Sequence, residues 1–481
     1  MTKNLNQAVN INQKEVVRVK APIVEALKTA YENPTYQFHI PGHTKGKAIF
    51  KDFRNLIGEK ALNVDTTDEF DNLGTLHPAT GPIKEAQELA AEAFGAKKTF
   101  FLLNGSTAGN LALAMALTKK GQKIIVNRNC HRSILTGLII SGAEPVWICP
   151  NKIEDWSVWG NIDAATVEKT IQENPDVSMV WITNPTYEGV VSDIKSISAV
   201  CKKYGIPFIV DEAHGCLWNF NKHLPETALK LGADAVVHSL HKTGGSMSQS
   251  SMLHIAKDSC LDCAAVEKAL KLLHTTSPSL MLLASLDAAR ANLQSRNGQN
   301  LLERAVKNAK YLRTRLDAIP GVHQLKGDFG YKTDVTKVFI KVDGLSGKRL
   351  ESILEIDFGI EVESASDIGV LILCNIGNKH SDFKYLADCL EKIAANNYQD
   401  IYYLEKRKHM PMLEPQIKMS LRDAFYAEKE TVRKEEAIGR ISAEVVAECP
   451  PGISILLPGE LITEEHLPYL NDYETLDVIK G

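Results

Sequence analysis

Three clusters of polar side chains in this chain of 481 residues each follow a short apolar run that could form a buried strand. The clusters are Asn104–Asn110, Asp211–Gly215 and His238–Gly245. The first offers two hydroxyl groups at the start of a predicted helix, the second offers a carboxylate, and the third offers a lysine amine. Such groups bind anions, hold protonated nitrogens or metal ions, and attack carbonyl carbons.

The turn at Asn104–Asn110 contains Gly105, Ser106 and Thr107 directly before a helical pattern. Backbone N–H groups at the start of a helix lack partners within the helix, and the helix dipole favours negative charge there. The turn therefore predicts an anion site. An ordinary helix cap is the alternative interpretation, because serine and threonine are preferred at that position in any protein.

Asp211 ends a predicted buried strand, where its carboxylate could hold a protonated ring nitrogen or a metal ion. The sequence Asp-Glu-Ala-His at 211–214 also matches a helicase motif, which requires a phosphate loop of the form GxxxxGK followed by Ser or Thr. The nearest match, from Gly42 to Ala48, is one residue too short and lacks the hydroxyl that would bind the metal. The chain is therefore not expected to be a helicase.

Lys242 lies in the third cluster, beside small residues at the end of a predicted strand. Partial burial there would favour a free amine, which can form a Schiff base with an aldehyde. A solvated loop lysine is the alternative for this residue taken alone. Together, however, the amine, the carboxylate of Asp211 and the anion-binding turn are the three groups that pyridoxal 5′-phosphate (PLP) requires.

The elements that would position these clusters alternate between apolar runs and helical patterns. Predicted strands are 99–103, 123–127, 145–149, 178–183, 207–211 and 233–238, and predicted helices are 106–117, 132–140, 163–173, 192–204 and a short one near 224–231. Strands that are apolar on both faces and alternate with helices indicate a mostly parallel sheet covered on both sides. Ligands bind at the carboxyl ends of such strands, where the three clusters lie.

The pattern changes after residue 292 or so, where a long helix (301–316) precedes alternating segments at 337–342 and 369–374 with a helix between them. This order predicts a smaller α+β domain. We expect an N-terminal arm at 1–65, a PLP-binding large domain at 66–300, the small domain at 301–400, and a helical C-terminal segment at 401–481 that closes the active site.

Composition excludes several classes of protein. Hydrophobic residues make up 44% and charged residues 24%, and the formal net charge is −4, so a protein that coats nucleic acid or an anionic membrane is not expected. No apolar stretch is long enough to span a membrane. The nine cysteines lack the spacing of a disulfide framework, and the lone CxxC at Cys260 and Cys263 lacks the partners of a zinc site. We expect a cytoplasmic enzyme.

Longer motifs carry a family resemblance over nearly the whole chain. The motifs are 38–46, 68–81, 104–110, 129–133, 211–215, 239–245, 275–278 and 450–460. With them the chain resembles the Orn/Lys/Arg decarboxylases of bacteria, in their shorter form. The resemblance implies an α/β fold with an aspartate-aminotransferase-like (fold type I) large domain, a mostly parallel seven-stranded sheet, and PLP as the cofactor.

The resemblance also implies a role for each candidate residue. Lys242 would form the Schiff base, and Asp211 would pair with the pyridine nitrogen of the cofactor. His131 would stack on the ring, and His214 would lie near it. The phosphate would be held by Gly105, Ser106, Thr107 and Ser239, with His241 beside it. Lys242, His131 and His241 are the candidate catalytic residues.

Candidate substrate-binding residues are His43, Thr186 and Glu460. In enzymes that this chain resembles, the loop near His43 and the region of Ser277 complete the site of a partner subunit, so we expect a homodimer or higher homo-oligomer with shared active sites. Glu460 would receive the distal cation of the substrate, although a helix-start carboxylate is an equal alternative. The segment 183–187 would form a wall, or a simple turn around Pro185.

The expected reaction is α-decarboxylation of a basic amino acid, with arginine to agmatine favoured and lysine to cadaverine or ornithine decarboxylation left open. The product would serve polyamine biosynthesis. An aminotransferase on the same fold would need an arginine clamp, for which the small domain offers no clear candidate. A metal hydrolase built on His131, Asp211, His214, His238 and His241 would leave Asn104–Asn110 without a role and lacks an HExxH motif.

Overall fold

The structure is a computed structural model, and it describes residues 19–33, 36–67, 72–327, 332–396, 413–448 and 452–481. The α-helices are α1 (Pro22–Glu32), α2 (Lys51–Ile57), α3 (Glu59–Val64), α4 (Gly81–Phe94), α5 (Gly105–Leu117), α6 (Arg132–Ser141), α7 (Ala164–Glu173), α8 (Ile194–Tyr204), α9 (Leu240–Thr243), α10 (Cys263–Leu273), α11 (Leu280–Gln294), α12 (Arg296–Asp317), α13 (Gly347–Phe358), α14 (His380–Ala395) and α15 (Leu421–Tyr426).

The strands of the large domain are β1 (Ala96–Leu102), β2 (Lys123–Asn127), β3 (Glu144–Ile148), β4 (Lys152–Ile153), β5 (Val158–Trp159), β6 (Val180–Thr183), β7 (Val190–Val191), β8 (Phe208–Asp211), β9 (Ala235–His238) and β10 (Ser251–Ala256). The later strands are β11 (Val322–Gln324), β12 (Lys332–Thr333), β13 (Lys337–Val342), β14 (Ser364–Ala365), β15 (Val370–Leu373), β16 (Lys429–Arg433), β17 (Val446–Glu448), β18 (Ile453–Leu456) and β19 (Thr475–Ile479).

The central sheet has seven strands in the order β1-β10-β9-β8-β6-β2-β3. Strands β9, β8, β6, β2 and β3 pair in parallel, whereas β10 is antiparallel to both of its neighbours. The predicted fold class, a mostly parallel α/β sheet of seven strands, is thus confirmed. Six strands that run in one direction (β1, β2, β3, β6, β8 and β9) bring their carboxyl ends to the same side of the sheet.

The strands of the mostly parallel central sheet are buried on both faces. Strands β8 and β9 are buried along their whole length, and β6 along most of it. One face packs against α5, α6 and α10, with Leu113 and Ile134 in that core. The other face packs against α7 and α8, with Val167 and Ile197 in that core. Strands buried on both sides by helices are the usual setting of a parallel sheet.

Two features of the large domain differ from the sequence expectations. The antiparallel strand β10 was not predicted, because its apolar run follows the Gly/Ser-rich segment after Lys242 rather than a helix. The short helix expected near 224–231 is wrong, since these residues form loops and turns. There the buried carboxylate of Glu212 accepts hydrogen bonds from the Thr227 hydroxyl (2.7 Å) and from the Ala228 backbone N–H (2.8 Å).

The small domain is an α+β unit, as predicted from its pattern. Its antiparallel sheet has the order β11-β13-β15-β14, and α12, α13 and α14 cover it around a common apolar core. The two-residue strand β12 is not part of this sheet and pairs instead with β7 of the large domain. That pairing holds the start of β13 against the loop that follows β6.

The described part of the C-terminal segment (413–448 and 452–481) is not the helical element that we expected. Its described residues contain the helix α15 and two antiparallel pairs, β16 with β19 and β17 with β18. Arg128, which follows β2, donates hydrogen bonds to the carbonyls of Ser454 (2.7 Å) and Ile455 (3.0 Å) and thereby holds β18 at the edge of the central sheet. Parts of the predicted arm and of the segments 68–81, 402–448 and 450–460 lie outside the described residues.

No helix in the described parts of the chain combines the length and apolar character needed to cross a membrane.

The Glu212 network gives a test of the fold. Besides Thr227 and Ala228, the fully buried Glu212 carboxylate pairs with Nε2 of His238 at 2.7 Å. We expect Glu212→Ala to lower the free energy of unfolding by about 3 kcal/mol, because it leaves several buried polar groups without partners. Urea unfolding followed by circular dichroism measures the change.

The matched control is Glu226→Ala, which removes a surface carboxylate that pairs with Lys230. The control should leave the unfolding curve within experimental error, because exposed ion pairs contribute little. Similar unfolding curves for both variants would contradict a structural role for the buried network.

Candidate active site

A cavity of about 270 Å³ lies at the carboxyl edge of the central sheet. The residues that follow β1, β2, β6, β8 and β9 line it, as parallel strands require. From the predicted set, the lining contains Gly105, Ser106, Thr107, His131, Thr186, Asp211, His214, Ser239, His241 and Lys242. The structure thus brings together residues that are up to 137 positions apart in the sequence, from Gly105 to Lys242.

Lys242 sits on the short helix α9, directly after β9. Its Nζ lies 2.9 Å from Nε2 of His214, which follows β8. Burial lowers the pKa of His214 well below its usual value, and the nearby cations Lys337 and Lys242 lower it further. His214 is therefore neutral at ordinary pH, and its Nε2 accepts a hydrogen bond from the Lys242 amine.

Asp211 is 3% exposed and is held by two donors. The side-chain amide of Asn110 donates to Oδ2 of Asp211 at 2.9 Å, and the Ala213 backbone N–H donates to Oδ1 at 3.2 Å. The same Asn110 amide donates to the Ser133 hydroxyl at 2.9 Å. Asn110, on the second turn of α5, thus fixes the carboxylate. Its place in the motif 104–110 was noted in the sequence, but this role was not predicted.

A cluster of hydroxyl groups lies at the start of α5. Oγ of Ser106 is 2.6 Å from Oγ of Ser239 and 3.4 Å from Oγ of Ser251. Gly105 has a φ of +65°, a backbone conformation that glycine adopts without strain, and its N–H donates to the Gln249 carbonyl at 2.8 Å. Gly105 therefore determines the shape of the turn, while its own N–H is hydrogen-bonded to the Gln249 carbonyl.

Two further histidines line the cavity. His131 is the N-cap of α6, and its Nδ1 accepts a hydrogen bond from the Ser133 backbone N–H at 3.2 Å. This contact leaves the ring proton of neutral His131 on Nε2, and burial lowers the pKa of the residue. His241 donates from Nδ1 to the Ser250 carbonyl at 2.8 Å, and burial lowers its pKa as well. Both imidazoles are thus biased toward the neutral form.

The segment 183–187, at the end of β6, forms one wall of the cavity. Thr186 is buried, and the Tyr187 ring contacts the His214 ring edge-on, with 5.3 Å between the centroids. The Tyr187 hydroxyl donates to the Glu363 carboxylate at 2.6 Å. Glu363 belongs to the small domain, so the two domains meet at this wall.

The C-terminal segment contributes Ile453 to the cavity lining. Ile453 forms a backbone bridge with His131, and the Arg132 N–H donates to the Gly452 carbonyl at 3.0 Å. We did not predict from the sequence that Ile453 lines the cavity. An apolar residue after a Pro/Gly-rich stretch carries no signal of a functional site.

The cavity contains buried polar atoms that have no hydrogen-bond partner among the described residues. These atoms include Oγ1 of Thr183 and Nδ1 of His214. Buried polar atoms cost free energy when they lack a partner, so such a group of atoms is typical of a ligand site. Together with the amine, the carboxylate and the hydroxyl cluster, these atoms fit a polar, phosphorylated aromatic ligand such as PLP.

Two of the expected substrate-binding residues are not at this cavity. His43 lies in the N-terminal part, where its Nε2 is 3.2 Å from an Asp65 carboxylate oxygen. Glu460 is fully buried; its Oε2 accepts the Leu457 N–H at 2.9 Å, and it faces Arg128 at 3.8 Å. The prediction that Glu460 binds the substrate is therefore wrong for this cavity, because the carboxylate is used to join the C-terminal segment to the sheet.

The arrangement gives no support to the metal-hydrolase alternative. The described ranges contain no group of three or more His, Cys, Asp or Glu side chains arranged to hold a metal ion. His238, one of the five residues considered, pairs with Glu212 in the buried network rather than lining the cavity.

Comparison with known proteins agrees with this geometry. The family model "Orn/Lys/Arg decarboxylase, major domain" matches residues 21–330, and "Orn/Lys/Arg decarboxylase, C-terminal domain" matches residues 403–478. An arginine decarboxylase from Bacillus subtilis (strain 168) is 39% identical over 95% of this chain and 94% of its own length. The constitutive lysine decarboxylase of Escherichia coli (strain K12) is 26% identical over 93% of this chain and 76% of its own length.

Among solved structures, that of the E. coli constitutive lysine decarboxylase matches 96% of this chain and 82% of its own chain, with a TM-score of 0.81 and 22% identity. The fold is thus that of an α/β enzyme with its site at the carboxyl edge of the sheet. The chain belongs to the Orn/Lys/Arg decarboxylase family, whose members are PLP-dependent carboxy-lyases.

The buried position of Glu460 predicts that its replacement lowers the stability of the protein and leaves substrate binding unchanged. Glu460→Gln removes the negative charge opposite the buried Arg128, so we expect the free energy of unfolding to fall by about 2 kcal/mol. The KM for the amino-acid substrate should stay within about twofold of the parent value, since Glu460 does not reach the cavity. Urea unfolding and steady-state kinetics measure the two effects. A large rise in KM with unchanged stability would contradict this assignment.

Proposed function

We propose that this protein is a PLP-dependent decarboxylase that converts arginine to agmatine and carbon dioxide. The observation that carries the proposal is the juxtaposition of the Lys242 amine, the Asp211 carboxylate and the Ser106–Ser239 hydroxyl cluster in one cavity of an Orn/Lys/Arg decarboxylase family member.

The residues present would hold PLP as follows. Lys242 would bind the aldehyde carbon, Asp211 would pair with the protonated pyridine nitrogen, and His131 would stack on the ring. Ser106, Thr107 and Ser239 would hold the phosphate, with His241 beside it. When bound, PLP supplies an electron-accepting ring that takes up the electron pair left on Cα.

The chemical change requires one proton and removes one carboxylate. The bond between Cα and the carboxylate carbon breaks, carbon dioxide leaves, and a proton takes its place on Cα. The candidate proton donors in the cavity are the Lys242 amine and the His131 imidazole, either of which must be protonated to deliver a proton to Cα. The hydrogen bond to His214 orients the Lys242 amine, because His214 is held neutral by its surroundings.

The surroundings of the cavity favour loss of the carboxylate. Ile453 and Tyr187 line the cavity around Lys242 and place apolar surface there. A carboxylate that is transferred from water to a less polar site loses stabilisation, whereas carbon dioxide is neutral and does not.

Arginine is proposed as the substrate from the relatives. The arginine decarboxylase of Bacillus subtilis shares 39% identity with this chain, against 26% for the E. coli lysine decarboxylase, over similar shares of the chain. Lysine and ornithine are the alternatives. An aminotransferase, the more remote alternative, would need an arginine clamp. The described residues that line the cavity include no arginine, so this alternative has no support there.

We also propose that the active form is a homodimer or a higher homo-oligomer with shared active sites. The segment 36–57 exposes large apolar side chains, among them Tyr36 (95% exposed), Phe38 (97%), Phe50 (74%) and Leu56 (80%). Clusters of exposed apolar side chains typically mark protein–protein interfaces. His43 lies within this segment, which supports its expected role in the site of a partner subunit.

Incubation of the PLP-loaded protein with single amino acids tests the substrate. We expect agmatine from arginine at a kcat/KM at least about tenfold above that for cadaverine from lysine or putrescine from ornithine, because a site shaped for one head group leaves the others with unpaired polar groups. Mass spectrometry of the amines measures the products.

Lys242→Ala serves as the control and should release no amine above background. Faster formation of cadaverine or putrescine than of agmatine would overturn the choice of arginine, and absence of any amine would overturn the decarboxylase proposal.

A further inference from the structure

A second lysine lies directly behind the wall of the cavity. Lys337 is the first residue of β13 in the small domain and is 2% exposed. Its Nζ donates to the Tyr187 carbonyl at 2.6 Å and lies 5.2 Å from the centroid of the Tyr187 ring. Tyr187 lines the cavity and contacts His214, so a single residue separates Lys337 from the proposed catalytic groups.

The position of Lys337 is tightly determined by its neighbours. The Arg313 guanidinium donates to the Lys337 carbonyl at 2.6 Å. Across the domain junction, a Cβ at Gly189 would lie 2.9 Å from Cβ of Lys337, so only glycine allows this close approach. Gly189 has a φ of +98°, which also disfavours other residues. The lysine is therefore built into the contact between the two domains.

Lys337 carries a charge that its surroundings do not neutralise directly. Among the described residues its Nζ forms no ion pair within 4.0 Å, and the charged groups that face it at longer range are Asp334, Glu188, Glu363 and Lys242. Burial lowers its pKa to about 8, so the amine is protonated at neutral pH and loses its charge above about pH 8. Buried cations of this kind are rare unless they have a function.

The charge acts on the site that lies next to it. Among the charged neighbours that lower the pKa of His214, Lys337 has the largest effect, ahead of Lys242, His131 and His241. A cation next to an imidazole disfavours the imidazolium form. Neutral His214 is the form that accepts the hydrogen bond from Lys242.

We propose that Lys337 is a positioning residue of the active site. Its amine fixes the Tyr187 wall through the backbone carbonyl, and its positive charge adds to the effect of burial in keeping His214 unprotonated, so that His214 orients the amine of Lys242. The small domain thereby controls the state of the catalytic lysine without contributing a group to the cavity itself. The kinetic part of this proposal rests on the proposed decarboxylation, but the spectroscopic part does not.

A purely structural role and a positioning role of Lys337 predict different effects when the residue is replaced. Replacement of a buried, incompletely neutralised charge by an apolar side chain of similar length is often neutral or stabilising. Lys337→Met should therefore melt at the same temperature as the parent or at a higher one. A residue that matters only for folding would lose activity in step with stability, whereas a positioning residue loses activity while stability is retained.

The experiment compares three variants of the full-length, PLP-loaded protein. Lys337→Met removes the charge, and Lys337→Arg keeps it. Lys341→Met is the matched control, because Lys341 lies on the same strand, donates to the Asp155 carbonyl at 3.2 Å and sits over the Trp156 ring at 4.5 Å, but does not adjoin the cavity. The measurements are melting temperature, kcat and KM between pH 6 and pH 9 or so, and the visible absorbance of the bound cofactor as a function of pH.

We expect Lys337→Met to lower kcat at neutral pH by about 10- to 100-fold, with a smaller change in KM and no loss of melting temperature. The difference from the parent should shrink above about pH 8, where Lys337 loses its own charge. The midpoint of the absorbance titration should move to higher pH, because removal of a nearby cation favours protonation. Lys337→Arg should restore most of kcat, and Lys341→Met should behave as the parent does.

Several results would overturn the proposal. One is a Lys337→Met variant with parental kcat and an unchanged absorbance titration. Another is a loss of kcat that follows a loss of melting temperature and is not restored by arginine. If the parent forms no agmatine but the absorbance midpoint still moves in Lys337→Met, the choice of substrate fails and the role of Lys337 stands.

Discussion

Parallel strands of one sheet end on the same side, and the active site depends on this constraint. The turns after β1, β2, β6, β8 and β9 supply nearly all of the polar groups in the cavity. Neither Lys242 nor Asp211 has the required surroundings in its own segment. The Lys242 amine is hydrogen-bonded to His214, which follows the neighbouring strand β8. The Asp211 carboxylate accepts a hydrogen bond from Asn110, on the helix that follows β1.

The second feature of the site is the control of charge in buried surroundings. Burial biases His131, His214 and His241 toward the neutral form, so each imidazole offers one donor and one acceptor nitrogen. The carboxylate of Glu212, next to Asp211 in the sequence, points into a separate network with His238 and Thr227. Adjacent acidic residues at the end of β8 thus serve different purposes, one at the site and one in the fold.

Much of this could be predicted from the sequence, because the relevant signals are local. Strand ends followed by Asp211 or Lys242, and the Gly-Ser-Thr turn at the start of a helix, place their side chains at the carboxyl edge once a parallel sheet is assumed. The parts that could not be predicted depend on contacts between distant segments. Lys337 and Ile453 reach the site only through the packing of the small domain and the C-terminal segment on the sheet.

The incorrect predictions have the same origin. Glu460 lies in a motif shared with relatives, and only the structure shows that its charge faces Arg128. The periodicity near 224–231 predicted a helix, but Thr227 and Ala228 donate hydrogen bonds to the buried carboxylate of Glu212 and the segment forms loops and turns. The charged C-terminal segment was predicted as helix, yet its described part forms β16–β19 with one short α-helix and one short 3₁₀ helix (Glu464–Tyr469), because pairing with β18 and β19 outweighs local helix propensity.

The central claim is that Lys242, and not the neighbouring Lys337, holds the cofactor. Borohydride reduces the bond between a lysine amine and the aldehyde carbon of PLP to a stable secondary amine, which marks the lysine that carried the cofactor. The reduced protein can be digested and its peptides identified by mass spectrometry. The account predicts that the mark lies on the peptide containing Lys242 alone. A mark on Lys337, or no mark on Lys242 in a protein that has bound PLP, would contradict it.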